Sequence, residues 1–331
     1  KYIETLWWIF KQIWDQKLLV HSTRVTPYCW RCGTGLSSHE IAQGYKLVKD
    51  ESVFIKFPLE KENNTHFLVW TTTPWTLPSN AALAVNKNIE YVKVGVEGYD
   101  AIDDGTYILS KAAYKDKFHP IGQLFHGLQR GRGAVPRITS VHYLKGEALV
   151  GMRYKALYPD FYQNADLGHQ FSGDTELVEE VNPQSLSEQE ITNANFRVLE
   201  DAFVSEDDGT GIVHISPAHG EEDFALFRKT LPTLYATSSI DERGIMRLGA
   251  PGAGKPFEKA NSEIVEDLKS RKLWVRSKEV EHDYPFCWRC NSRLIYLARS
   301  SWFIRMSKLR NQLIANNQQI NWVPDHIKDG R

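Results

Sequence analysis

Two near-copies of one hexapeptide lie at opposite ends of the chain, "PYCWRC" at Pro27–Cys32 and "PFCWRC" at Pro285–Cys290, and together they hold all four cysteines. Each Cys-x-x-Cys carries two thiolates on one tight turn, and two such turns complete a closed four-sulfur zinc site of the structural kind. A redox disulfide explains a single pair, but no thioredoxin-like βαβ pattern accompanies either copy. Four reduced thiols without metal are the remaining reading. The expectation is structural zinc on Cys29, Cys32, Cys287 and Cys290. It constrains the fold strongly: if the two turns meet, everything between them is an insertion whose ends lie close together.

The flanks and the interior differ in pattern. From Tyr2 to Val20, Ile3, Leu6, Trp7, Phe10, Ile13 and Trp14 recur at helical spacing, and the segment after Ser300 reads as a short strand followed by a helix. Between them run short alternating strands ("EYVKVGV", "TYILS", "RITSVHYL", "GTGIVHIS") with helices near "EEDFALFRKT" and "ANSEIVEDLKSRK". This mixture predicts an α+β fold with a β-barrel or curled sheet and peripheral helices. The expected division is 1–62 (helix and first half of a zinc-knuckle stem), 63–280 (barrel domain) and 281–331 (second knuckle and return stem). Residues Asp160 to Thr192 carry acidic side chains but no Lys or Arg, and are expected to form a surface excursion.

Forty basic residues against 41 acidic ones argue against a chain-wide grip on nucleic acid, so any RNA contact must be local. The best local candidate is Lys111 to Lys145, with Lys115, Lys117, Arg130, Arg132, Arg137 and Lys145. No apolar run approaches a membrane span and no signal peptide precedes the first motif, so a soluble, cytoplasmic and monomeric protein without a membrane partner is expected. The start at Lys1 and the end at "HIKDGR" suggest a piece of a longer polypeptide.

Two motifs are set aside. "GAPGAGKP" at Gly249–Pro256 has the spacing of a phosphate-binding loop, but Pro256 stands where Ser or Thr should bind magnesium, and a proline also removes a backbone donor. "RMSKL" at Arg305–Leu309 lies within a helical pattern.

The chemistry concentrates in "WTTTPWTLPSN" (Trp70–Asn80) and "GTGIVHISPAHGEED" (Gly209–Asp223). In the first, a strand delivers three threonine hydroxyls to a bend made by Pro74 and Pro78. In the second, Gly209 and Gly211 turn the chain into a strand bearing His214, and Asp223 opens a helix. Each residue also has an ordinary explanation: acidic residues favour helix N-termini, a lone histidine on an apolar strand is usually packed, and threonines favour strands.

Together these two segments resemble the signatures of the editing domain inserted into the Rossmann catalytic fold of isoleucyl-type class I aminoacyl-tRNA synthetases, and the flanking "YPFCWRCNSRLIYLARSSWFIRM" and "INWVPDHIKDGR" resemble the return path to that fold. Valyl- and leucyl-type relatives typically have Arg where this chain has Thr73. The resemblance implies hydrolysis of valine esterified to tRNA(Ile), with valyl-adenylate as a further substrate. Its partners are the tRNA(Ile) 3′ end and the remainder of the synthetase, which binds ATP. It implies Asp223 as the anchor of the α-ammonium, His214 as the wall excluding isoleucine, and Thr71, Thr72 and Thr73 as holders of the ribose and ester. Trp75 and Asn80 would shape the adenosine side, with no catalytic metal. The adenylate-binding signatures are absent, so the chain is not expected to activate isoleucine. Alternatives are the editing domain of a valyl- or leucyl-type relative, or a non-catalytic module that positions tRNA.

Overall fold

The computed structural model describes residues 1–98, 102–116, 137–164, 170–172, 179–181, 193–206, 209–230 and 236–328. The chain forms two compact units, Lys1–Arg24 with Ser300–Arg331, and Val25–Arg299. In chain order the strands are β1 (Leu19–Cys29), β2 (Thr34–Gly35), β3 (Tyr45–Pro58), β4 (Thr65–Thr71), β5 (Ala82–Val85), β6 (Glu90–Glu97), β7 (Gly105–Ser110), β8 (Arg137–Lys145), β9 (Gln170–Ser172), β10 (Glu179–Val181), β11 (Val198–Glu200), β12 (Val213–Ile215), β13 (Trp274–Pro285) and β14 (Ile295–Ile304).

The larger unit is organised on a six-stranded sheet in the order β13-β3-β4-β7-β6-β8, antiparallel except for the β4–β7 pair. Both faces of its central strands are covered. Ile55, Phe57, Phe67, Val69 and Ile108 point into the main core, while their neighbours Phe54, Leu68, Tyr107 and Leu109 point into a second cluster on the opposite face. Because side chains alternate across a sheet, this two-sided burial explains why "HFLVW" in β4 lacks a polar alternation.

A smaller sheet, β11-β5-β12, lies beside the main core. Leu83 and Val85 of β5 enter that core, whereas Ala82 and Ala84 face Phe224, Leu226 and Phe227 of the helix Glu221–Thr230. The helix Phe257–Ser270 buries Phe257, Ala260, Ile264, Val265 and Leu268, which fall on one helical face, against the main core. The Gly-rich segment before it is a packed turn: Lys255 pairs with Glu263, and a Cβ on Gly252 would stand 2.7 Å from that of Ala260.

The barrel expectation needs correction. The six strands are hydrogen-bonded in an open order, with β13 and β8 at its two ends. Exposed Lys278, Glu279, Glu281 and Asp283 on β13, and Arg137, His142 and Lys145 on β8, are charged or polar guards of sheet edges, and closure of the sheet would desolvate them. The α+β mixture and the peripheral helices are as expected.

In the smaller unit the helices Tyr2–Asp15 and Met306–Gln319 bury no residue, and Trp302 packs on Trp14 and His21 at ring separations of 5.9 and 5.2 Å. Ser307, Lys308 and Leu309 lie inside the second of these helices, as their pattern predicts. No helix among the described residues is long and apolar enough to cross a membrane. Most of the acidic stretch 160–192 lies outside the described residues.

Candidate active site

Strand β4 ends at Thr71, and Pro74–Ser79 then form a buried 3₁₀ turn, with Pro74 in its first positions where a missing N–H is tolerated. The Thr71 hydroxyl accepts the Thr73 N–H at 3.1 Å and lies 3.3 Å from the Thr73 hydroxyl. Thr72 lies between them, partly exposed. Opposite this bend, β12 pairs antiparallel with β5, and His214 stands across from Leu83, on the face turned to the main core. Beyond β12 the chain turns at Ser216–Gly220 into the helix Glu221–Thr230, which carries Asp223 in its first turn. The Asp223 Oδ2 accepts the Ser216 N–H at 2.7 Å.

One cleft of about 380 Å³ unites these groups: Thr71, Thr72, Thr73, His214 and Asp223 all line it, together with Thr76. Its electrostatics follow from enclosure. Burial pushes the Asp223 pKa up to about 7, with a smaller contribution from the charge of Glu222. Burial lowers His214 to about 3 and His219 to about 4, so both rings are neutral near pH 7. Gly220 is required by close approach, since a Cβ there would lie 2.7 Å from the Asp223 Cγ.

Two residues of the sequence-derived set lie elsewhere. Asn80 is 2% exposed and stands behind His214 rather than on the cleft wall. Trp75 lines a second cleft of about 380 Å³ on the other side of the Thr72–Pro74 bend, where it packs on His219 and Phe257 at 4.8 and 5.1 Å. Residues that sequence reasoning passed over include Thr76, which bonds His214 Nε2 at 3.0 Å, and His219, whose Nδ1 meets the Tyr296 carbonyl at 3.1 Å. Both lie inside the two quoted segments, but nothing in their spacing separates them from packing residues.

The two cysteine turns do meet. Their four sulfur atoms lie within 4.8 Å of one another, and Cys29 Sγ is 3.4 Å from Cys290 Sγ. The turns are built alike: Gly33 and Asn291 adopt φ of 68° and 60° and donate their N–H groups to the Cys29 and Cys287 carbonyls, both at 2.8 Å. Leu36, Ile41 and Leu294 enclose the cluster. Four thiol sulfurs at this spacing fit a tetrahedral ion with metal–sulfur bonds of about 2.3 Å.

Of the basic segment, Lys111 and Lys115 flank the exposed Tyr143 ring at 5.4 and 5.7 Å. Lys111 also pairs with Glu90 at 2.5 Å, and Arg137 with Glu97 at 3.7 Å. Lys117, Arg130 and Arg132 lie outside the described residues.

Comparison with known proteins adds three findings. The family profile described as tRNA synthetases class I (I, L, M and V) matches residues 1–331. The isoleucine–tRNA ligases of Clostridium tetani and Clostridium acetobutylicum are 39% and 40% identical over 332 residues, covering 100% of this chain and 27% of theirs. The chain thus spans about a quarter of the length of these curated relatives. The editing domain of the P. falciparum cytosolic leucyl-tRNA synthetase aligns with a TM-score of 0.41 at 11% identity, over 68% of this chain and 98% of that one.

Proposed function

Because the chain belongs to the class I tRNA synthetases of the I, L, M and V group, we propose that it is the editing module of an isoleucine-specific member, a hydrolase of the ester joining valine to the 3′-terminal adenosine of tRNA(Ile). Valyl-adenylate is the second substrate of this reading. The carrying observation is the one cleft that gathers three threonines, a neutral histidine and a partly exposed carboxylate from two distant segments of the chain.

The chemical need is general. One methylene in an apolar pocket discriminates by only about 1–3 kcal/mol, so a site that selects isoleucine admits valine often enough to require a second, size-excluding site. In the cleft, ionised Asp223 receives the α-ammonium of the aminoacyl group, a charge-assisted contact that fixes the ester's position. The His214 ring bounds the space for the side chain and admits valine but not isoleucine. Thr72, with the neighbouring Thr71 and Thr73, holds the ribose and the ester oxygens. A vicinal ribose hydroxyl of the tRNA assists the attacking water. Cys29, Cys32, Cys287 and Cys290 hold a structural zinc ion, which ties the two ends of the insertion and takes no part in the reaction.

The test is deacylation of valyl-tRNA(Ile) and isoleucyl-tRNA(Ile) by this chain and by its Asp223→Ala variant. Selective loss of the valyl ester, nearly abolished in the variant, is expected. Equal hydrolysis of both esters, or an unaffected variant, rejects the reading.

A further inference from the structure

His214 has been given a wall's role, yet histidine usually enters an active site to move protons. Its surroundings decide which it does. The Asn80 side-chain amide lies 2.8 Å from the Ala82 carbonyl oxygen and 2.7 Å from His214 Nδ1, both measured from Nδ2. A carbonyl oxygen only accepts, so the amide nitrogen, not its oxygen, must face Ala82. The orientation is held from the other end as well: Asn80 Oδ1 accepts the Tyr154 hydroxyl at 2.7 Å, and the Asn80 carbonyl accepts the Tyr162 hydroxyl at 2.8 Å. With the amide fixed, its second N–H points at His214 Nδ1, which must be an unprotonated acceptor.

The proton of the neutral ring then sits on Nε2, which faces the Thr76 hydroxyl at 3.0 Å. Thr76 spends its own proton on the Thr73 carbonyl at 2.8 Å. The chain of donors runs one way, from Asn80 through His214 and Thr76 to the backbone of the threonine bend. A parallel chain lies beside it: Ser79 donates to the Thr76 carbonyl at 2.9 Å, so Ser216, 2.7 Å from the Ser79 hydroxyl, donates to it in turn.

We propose that Asn80 is a positioning residue that locks His214 as its Nε2–H tautomer, so that the ring offers the cleft carbon atoms and no nitrogen free for proton transfer. The proposal rests on the reading that the cleft takes an aminoacyl ester, for which an uncharged wall matters: an imidazolium beside the ammonium site would repel the substrate. The other titratable groups lining the cleft are His219, Glu222 and Asp223. None of these meets a ring nitrogen of His214, since both nitrogens are already engaged by Asn80 and Thr76.

The experiment is a two-bond ¹H–¹⁵N correlation spectrum of the ¹⁵N-histidine-labelled chain, with His214 assigned by loss of its signals in His214→Gln. An unprotonated Nδ1 and a protonated Nε2, unchanged from about pH 8 to about pH 5, are expected; a proton on Nδ1, or titration near the ordinary value of about 6.5, overturns the proposal. In Asn80→Asp a carboxylate faces Nδ1, so the proton should move to Nδ1 and imidazolium should appear in that pH range, with kcat/KM for valyl-tRNA(Ile) falling about tenfold or more. An unchanged tautomer in that variant also overturns the proposal. If Asn80→Asp does not fold, the wild-type spectrum decides alone. The expected tautomers with inert esters throughout would uphold this inference and reject the reading of the reaction.

Discussion

At the Ser216–Asp223 hydrogen bond of 2.7 Å, a carboxylate is held by backbone donors in surroundings that disfavour its charge, and its pKa rises from 3.8 to about 7. The folded protein therefore binds this proton more tightly than the unfolded chain does. The contribution of Asp223 to stability is fully present below about pH 4, declines as pH rises toward 7, and is flat above that. Function runs the other way, because only the ionised form anchors an ammonium. Below about pH 7, kcat/KM for valyl-tRNA(Ile) should fall about tenfold per pH unit, and above about pH 8 it should fall again as the substrate's α-amino group loses its proton. A bell-shaped profile is expected, with an acid limb that disappears in Asp223→Asn along with most of the activity. A profile flat from about pH 5 to about pH 8 would remove Asp223 from the anchoring role.

The elements that present these residues depend on close backbone approaches. Gly211 has φ of +70°, and a Cβ on it would lie 2.6 Å from the Ser110 Cβ, where β7 ends against the turn into β12. The Ser110 N–H to Thr210 carbonyl bond of 2.7 Å fixes the same junction. Gly211→Ala combines a left-handed penalty of about 1–2 kcal/mol with overpacking of about 1–3 kcal/mol, so a loss of about 2–5 kcal/mol is expected in urea unfolding. A change below about 0.5 kcal/mol would mean that the junction yields freely. Much at this scale is legible in the sequence. The bend after Thr71, the strand bearing His214, and the helices Glu221–Thr230 and Phe257–Ser270 follow from proline, glycine and periodicity. What is not legible is partnership between distant segments. The register that sets His214 opposite Leu83 depends on β5, whose four residues carry no alternation because both its faces are buried. The placement of Asn80 is fixed by Ala82, Tyr154 and His214, contacts that no local spacing encodes. The choice between barrel and curled sheet is open in the sequence for a similar reason, since charged edge strands and barrel strands share the same alternation.

Beside the β1–β14 pairing, two ties join the ends of the insertion in the Val25–Arg299 unit, and their relative weight determines what metal removal does. One is the cysteine cluster. The other is the β3–β13 ladder, which runs in register from Tyr45↔Pro285 to Phe54↔Arg276, shifts register before Trp274↔Ile55, and has already closed the large insertion. The loop that the metal closes beyond this ladder is only roughly 15 residues long, worth about 3 kcal/mol in closure entropy. Loss of zinc should therefore loosen the two turns and leave the sheets standing. A strong chelator, or Cys29→Ser with Cys287→Ser, should lower Tm by about 5–10 °C while the far-UV spectrum at 25 °C is retained. One zinc per chain by elemental analysis and a Tm shift in that range would establish the cluster as a staple on a fold that stands without it. Global unfolding on chelation would instead make metal binding and folding a single event, as in domains too small to hold a core of their own. An unchanged Tm with no zinc bound would reduce the four cysteines to packed thiols.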